Sequence, residues 1–251
     1  MTRIVGILNY KGGTGKTTTV VNLGAGLAMR GSRVLCLDLD TQGTLAVQLG
    51  VRLGLSLRHL LLHQAQASQC IVGARERLDL IPSDSSLLEV EGVLWRESNK
   101  ERAYRFFVNQ LGGIENGYDF VLLDFPPSPN LLSECALYYV EEIIVPVAMN
   151  YMALLGTRQV IEALRSARHL AGCHARLAWI LPTFFNPQLK LDHEVIELLR
   201  RYFPDQVAEP IRFSIHLAQA PGHHKTIYEY APTSTGALDY ARFVEKVCCN
   251  G

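Results

Sequence analysis

The chain has 251 residues, enough to bury a substantial core, and residues 1–251 read as a single domain. Lys+Arg and Asp+Glu are each 24, so the formal net charge is zero. That balance excludes a protein whose whole surface attracts nucleic acid or membrane, though it leaves room for a local basic patch. In chain order, Ile4–Leu8 is a short apolar run of strand type that ends in the turn-prone stretch Asn9-Tyr10-Lys11-Gly12-Gly13. Residues 16–30 follow helical spacing, with Val20, Leu23 and Leu27 on one face and Gly31 as a stop. Further strands are expected at Arg33–Leu37, Leu78–Ile81, Phe120–Leu123, Ile143–Val147 and Arg176–Leu181, and helices at 156–171, 191–203 and 236–248. Continuous apolar strands alternating with helices predict an α/β fold with a mostly parallel, twisted sheet and helices on both faces.

The six cysteines, Cys36, Cys70, Cys135, Cys173, Cys248 and Cys249, contain no Cys-x-x-Cys pair and read as reduced thiols of a cytosolic protein. Met1-Thr2-Arg3 runs straight into a strand pattern, so no signal peptide is expected. No apolar stretch approaches the length of a membrane span.

In a parallel α/β sheet, ligands bind outside the carboxyl ends of the strands. Those ends here carry Lys11-Gly12-Gly13, Asp38 with Asp40, and Asp124. The segment Lys11-Gly12-Gly13-Thr14-Gly15-Lys16-Thr17-Thr18 joins a strand to a helix. Its glycines let successive N–H groups face one anion, and the helix start adds the positive end of its dipole. Lys16 is placed to reach the β- and γ-phosphates of a nucleotide and Thr17 to ligate Mg²⁺. A strict P-loop asks for Gly where this chain has Tyr10.

The run KGGTGKTTT, with its extra lysine at Lys11, resembles the deviant P-loop of the ParA/MinD family of ATPases. DLDTQGTL at 38–45 is similar to the family's first switch, and YDFVLLDFPPS at 118–128 to its second. PVAMNYMALLG at 146–156 and the segment 217–240 resemble the ParA/Soj branch. The resemblance runs from residue 3 to about residue 247. It implies a P-loop NTPase fold and ATP with Mg²⁺ as cofactors. Gly12, Gly13, Thr14, Gly15, Lys16, Thr17 and Thr18 match the cofactor-binding loop. Lys11 matches a lysine that crosses an ATP-dependent homodimer to the partner's nucleotide, a charge used much as an arginine finger is. Asp40 matches the carboxylate that orients the attacking water, and Asp124 the aspartate that reaches Mg²⁺ through water, with Thr17 as the direct ligand. For Asp38 the residues leave two readings open, a site carboxylate or a support for the switch.

The implied function is a slow ATPase switch that positions or segregates cargo: a plasmid, a chromosome origin or a protein body. A ParB-like or other adaptor would stimulate it, in the cytoplasm and on nucleoid DNA. Against DNA, Gln188, Phe213, His216, Thr233 and Thr235 stand where relatives often carry basic residues, and each loss removes a phosphate partner. Lys190, Arg200, Arg201, Arg212 and Lys225 remain, as does the cluster Arg165, Arg168, His169, His174 and Arg176. The alternative is a MinD-like membrane-associated ATPase, which needs a basic amphipathic C-terminal helix. The tail ALDYARFVEKVCCNG has few cations and speaks against it. Cluster chemistry like that of the nitrogenase iron protein needs a second well-placed cysteine beside Cys135, and none is evident.

Overall fold

The computed structural model describes residues 1–97, 99–149, 153–169 and 173–249, with the side chains of 153–155 and 168–169 outside that description. The middle of the 146–156 stretch, the far end of the 156–171 helix and the side chains of Arg168 and His169 therefore lie outside the described residues.

The strands are β1 (Arg3–Ile7), β2 (Val34–Asp38), β3 (Val72–Arg75), β4 (Leu78–Ile81), β5 (Phe120–Asp124), β6 (Glu142–Ala148) and β7 (Arg176–Thr183). They form one seven-stranded sheet in the order β3-β4-β2-β5-β1-β6-β7. Every pairing is parallel except β3 with β4, which is antiparallel. β3 was not expected from sequence. Its residues, VGAR, are half-buried or exposed at the sheet edge and carry no apolar run.

The helices are α1 (Lys16–Met29), α2 (Thr44–Leu49), α3 (Leu57–Leu61), α4 (Ala67–Cys70), α5 (Leu88–Leu94), α6 (Lys100–Leu111), α7 (Leu131–Tyr139), α8 (Ala153–His169), α9 (Lys190–Tyr202), α10 (Ile215–Gln219), α11 (Ile227–Tyr230) and α12 (Thr235–Cys249). The alternation of the strands divides the core. Leu35 and Leu37 of β2, with Val121 and Leu123 of β5, face α3, α5, α6, α7 and α8. Val34 and Cys36, with Phe120 and Leu122, face α1 and α12. The parallel sheet with helices on both faces is thus the expected one, and it follows from strands that are apolar on both sides.

The register positions the site. Ile7 of β1 pairs with Asp124 of β5, and Asp124 pairs with Asp38 of β2. Three polar strand ends, distant in sequence, therefore meet at one edge of the sheet.

The α1–α12 contact is close. A Cβ on Gly26 would sit 2.5 Å from Val244 Cγ2 and 2.7 Å from the Tyr228 hydroxyl. One turn from the start of α1, the Thr19 hydroxyl lies 3.1 Å from that of Tyr240. The apolar face of α12, with Tyr240, Phe243, Val244 and Val247 buried, is consumed by this packing. Gly26→Val should therefore cost about 1–3 kcal/mol through overpacking, in spite of glycine's poor helix propensity. Thermal melting of the variant beside wild type checks this, and an unchanged midpoint would mean that the two helices separate freely.

Candidate functional site

β1 hands over to the loop through Leu8 and Asn9. Asn9 is 1% exposed. Its Nδ2 donates to the Pro146 carbonyl of β6 at 2.8 Å, and its Oδ1 accepts the Lys11 N–H at 3.0 Å. The loop entry is thus tied to the neighbouring strand. The loop exit is tied to β7, where the Thr183 hydroxyl donates to the Thr14 carbonyl at 2.9 Å. Between these anchors Gly13 and Gly15 have φ of 71° and 88°, conformations in which an L side chain is strained. Gly15 caps α1 with no side-chain hydrogen bond, and no acidic residue lies in the first turn. The opening amides of α1 therefore have no intrahelical partner and present a positive dipole end to the loop.

Lys16 is buried, and its Nζ bends back to donate to the Lys11 carbonyl at 3.3 Å. Burial lowers its pKa, while the charges of Asp124 and Asp40 oppose that shift. The Thr17 hydroxyl lies 3.5 Å from that of Thr44, at the start of α2. The carbonyl of Thr18 accepts from Asn22 at 2.8 Å. Gly12 is exposed and Lys11 half-buried at the rim.

Tyr10, where a strict P-loop has glycine, is partly buried against the α6–α7 side of the core. It lines a cavity of about 290 Å³ with Tyr104, Glu134 and Tyr138. Its phenol is pushed up to about 12, by burial first and then by Glu134. The deviation from the strict motif is thus absorbed by packing away from the phosphate loop.

The two strand-end carboxylates differ. Asp38 is fully buried, and it accepts the Asp40 N–H at 2.9 Å on Oδ1 and the Leu45 N–H at 3.2 Å on Oδ2. It ties together both ends of the connection between β2 and α2, which supports the second of its two readings, a prop for the switch. Asp124 is 1% exposed, and neither of its oxygens has a hydrogen-bond partner. Burial raises its pKa, and the nearby charge of Asp40 adds to the rise. Thr17 and Lys16 favour the charged form without satisfying the oxygens. Burial also raises the pKa of Asp38, followed by the charge of Asp124, against the two amide bonds. Asp40, half-buried, accepts the Gln42 N–H on Oδ1 at 3.0 Å.

This donor set fits Mg²⁺ and a phosphate chain. Two unpartnered carboxylate oxygens beside a threonine hydroxyl are hard oxygen ligands. An unfilled helix start beside a buried ammonium suits an anion. Beside Gly15 and Thr18 lies a second cavity of about 290 Å³, walled by Thr183, Phe184, Phe213 and Ser214. Ser214 Oγ is buried there without a partner, and Phe184 holds φ 57°, a strained value for a bulky residue. Sequence reasoning missed Asn9, Thr183 and Ser214 as parts of the site. The one signal was a polar residue directly after a buried strand.

A family model described as an AAA domain matches residues 2–173. The sporulation initiation inhibitor protein Soj of Bacillus subtilis is 34% identical over 260 residues, covering 100% of this chain and 100% of the relative. The chromosome-partitioning ATPase Soj of Thermus thermophilus is 37% identical over 246 residues, covering 98% and 95%. Among solved structures, the septum site-determining protein MinD from Pyrococcus horikoshii, complexed with Mg-ADP, superimposes with a TM-score of 0.80 at 25% identity, covering 98% of this chain and 96% of that one.

Asp124→Asn separates the two demands on this site. Free of nucleotide, the variant should be more stable by on the order of 1–3 kcal/mol, because a buried unpartnered charge is removed. Its affinity for Mg²⁺ with ATP should fall. Thermal melting and calorimetry on the same preparation test both, and a loss of stability without loss of affinity would exclude Asp124 from the cation site.

Proposed function

This chain belongs to the ParA/Soj family of P-loop ATPases, and on that footing we propose that its ATP cycle works by closing two subunits face to face around their nucleotides. It is an ATPase that uses ATP with Mg²⁺ and serves to position cargo. The observation that carries the proposed site is that a buried ammonium, Lys16, and the unpartnered carboxylate of Asp124 stand near each other at the start of an uncapped helix. One ligand with adjacent anionic and cationic parts answers all three.

In this reading the amides of residues 12–18 and Lys16 hold the phosphates. Thr17 ligates Mg²⁺ and Asp124 reaches it through water. The base lies in the cavity between Phe184 and Phe213, with Ser214 as its hydrogen-bond partner. Bound Mg²⁺ supplies charge neutralisation between the phosphates. Asp40 orients the attacking water, and the turn it sits on is fixed by the Asp38 carboxylate. Lys11, on the rim, reaches the nucleotide of the second subunit, where two phosphate chains brought together need cations from both sides. A ParB-like or other adaptor carried by the cargo stimulates hydrolysis and releases the dimer.

The surface held is proposed to be nucleoid DNA, within the cytoplasm. The remaining cations differ in what holds them. Arg212 donates to buried Asp239 at 2.9 and 2.7 Å, so it supports the fold and is not a phosphate contact. Lys190 pairs with Glu194 at 3.4 Å and Arg200 with Glu209 at 3.3 Å, exposed pairs that yield readily to a polyanion. Gln188, Phe213 and His216 are exposed and bring no charge. A single subunit thus offers few contacts, and a dimer doubles them. A membrane surface is the weaker reading, because α12 spends its apolar face on α1. No helix among the described residues is long and apolar enough to cross a membrane.

Two outcomes follow. Lys11→Ala should bind ATP as the wild type does, yet fail to dimerise with ATP and fail to hydrolyse it. Light scattering read beside calorimetry tests this, and a variant that still dimerises and turns over sinks the face-to-face mechanism. DNA binding should require ATP and fall steeply with salt. Arg200→Ala with Arg201→Ala should lower the slope of log affinity against log salt by about 1 for each lost phosphate contact. Gel shifts with and without ATP decide it, and no binding at low salt would exclude DNA as the surface.

A further inference from the structure

β4 ends at Ile81 and is followed by Pro82, Ser83 and Asp84. Ser83 is fully buried, and its hydroxyl donates to the backbone carbonyl of Asp40 in a close hydrogen bond. The same carbonyl accepts the Gly43 N–H at 3.0 Å, closing the turn that follows β2. Gly43 has φ 61°, and a Cβ placed on it would lie 2.5 Å from the Ser83 carbonyl oxygen. The turn and the β4 loop thus touch backbone to backbone, with no side chain between them.

The loop that carries Ser83 is itself fixed. The Pro82 carbonyl accepts the Leu57 N–H at 2.8 Å, and Asp84 Oδ1 accepts the Ser86 N–H at 2.8 Å. From the other side the Asp38 carboxylate holds the Asp40 N–H at 2.9 Å. Asp40 is therefore gripped at both ends of its backbone, by the end of β2 and by the loop that follows the neighbouring parallel strand β4. Its side-chain oxygen Oδ1 accepts from Gln42, a residue of its own turn. The placement of the Asp40 carboxylate is thus set by its backbone, and the backbone by Asp38 and Ser83.

We propose that Ser83 is a positioning residue for ATP hydrolysis, acting on the attacking water through the backbone of Asp40. This rests on the reading of Asp40 as the group that orients that water. The Ser83 hydroxyl is spent on the Asp40 carbonyl and Ser83 does not line the cavity beside Gly15 and Thr18, so we assign it no direct part in binding. A displacement of the carboxylate by about 1 Å is enough to cost up to 100-fold in rate.

The test compares wild type, Ser83→Ala, Ser83→Thr, Asp40→Ala and the double variant Ser83→Ala/Asp40→Ala. Turnover at saturating ATP and Mg²⁺, ATP affinity by calorimetry and thermal melting are read on each. Ser83→Ala should turn over about 10- to 100-fold more slowly than wild type while its ATP affinity stays within about twofold. Ser83→Thr, which keeps the hydroxyl, should be faster than Ser83→Ala. On the Asp40→Ala background the serine change should cost nothing more, because the two act as one unit. A general loosening of the fold would instead lower ATP affinity and add its effect on both backgrounds. If Asp40→Ala itself turns over like wild type, the reading of Asp40 fails and this proposal fails with it. If Asp40→Ala is slow while Ser83→Ala is as fast as wild type, or costs the same on both backgrounds, the role of Ser83 alone is overturned. Should Ser83→Ala not fold, Gly43→Ala presses on the same contact from the other side. It should slow turnover without loss of ATP affinity, and wild-type turnover there would overturn the proposal.

Discussion

Asp38 and Asp124 end neighbouring parallel strands in register, and both are buried. Two carboxylates so placed repel each other and lose hydration, and the rest of the site answers this constraint. Asp38 is compensated by two backbone amides from its own connection. Among the described residues Asp124 is compensated by the nearby Lys16 and Thr17 side chains, with neither oxygen in a hydrogen bond of good geometry. A buried charge left in that condition raises the energy of the nucleotide-free state. Whatever cation and anion enter the site then bind with that energy recovered, so ligand and stability are linked.

The phosphate loop is prepared for the same event. Its entry is fixed by Asn9 to β6 and its exit by Thr183 to β7, both strands on the far side of β1 from Asp124. The first-switch turn is fixed from the opposite side, by β2 and the β4 loop. The site therefore lies where elements anchored on the two sides of the β1–β5 pair meet, and one polar contact between them is the long one between Thr17 and Thr44 at 3.5 Å. α2, which follows that turn, is held as well: its Val47 carbonyl accepts from His224 at 2.7 Å, which connects it to the segment before α11.

Much of this was present in the sequence because it is local. The phosphate loop is one contiguous segment, so its glycines, Lys16 and Thr17 carry their geometry with them wherever a strand precedes and a helix follows. Six of the strands were legible from continuous apolar runs, since a strand buried on both faces has nowhere to place polar groups. The helices expected at 191–203 and 236–248 are found at Lys190–Tyr202 and Thr235–Cys249, within the ambiguity of a fraying end. β3 was not legible, because a half-exposed edge strand imposes no such pattern.

The tertiary structure decided what holds the polar residues in place. In sequence Asp40 matches the water-orienting carboxylate of the family, while Asp38 stands open between a site carboxylate and a support for the switch. The two amides folded back onto Asp38 support the second reading, while half-buried Asp40 accepts from Gln42 of its own turn. Arg212 counts as a free cation in a composition and proves to be held by Asp239 of α12. Ser83, Asn9 and Thr183 have no motif, since each donates to a backbone carbonyl that is distant in the chain. Such bonds depend on which strands become neighbours and in what register. That is settled by the packing of the whole sheet, whereas a residue's membership of a strand or a phosphate loop is settled by the few residues on either side of it.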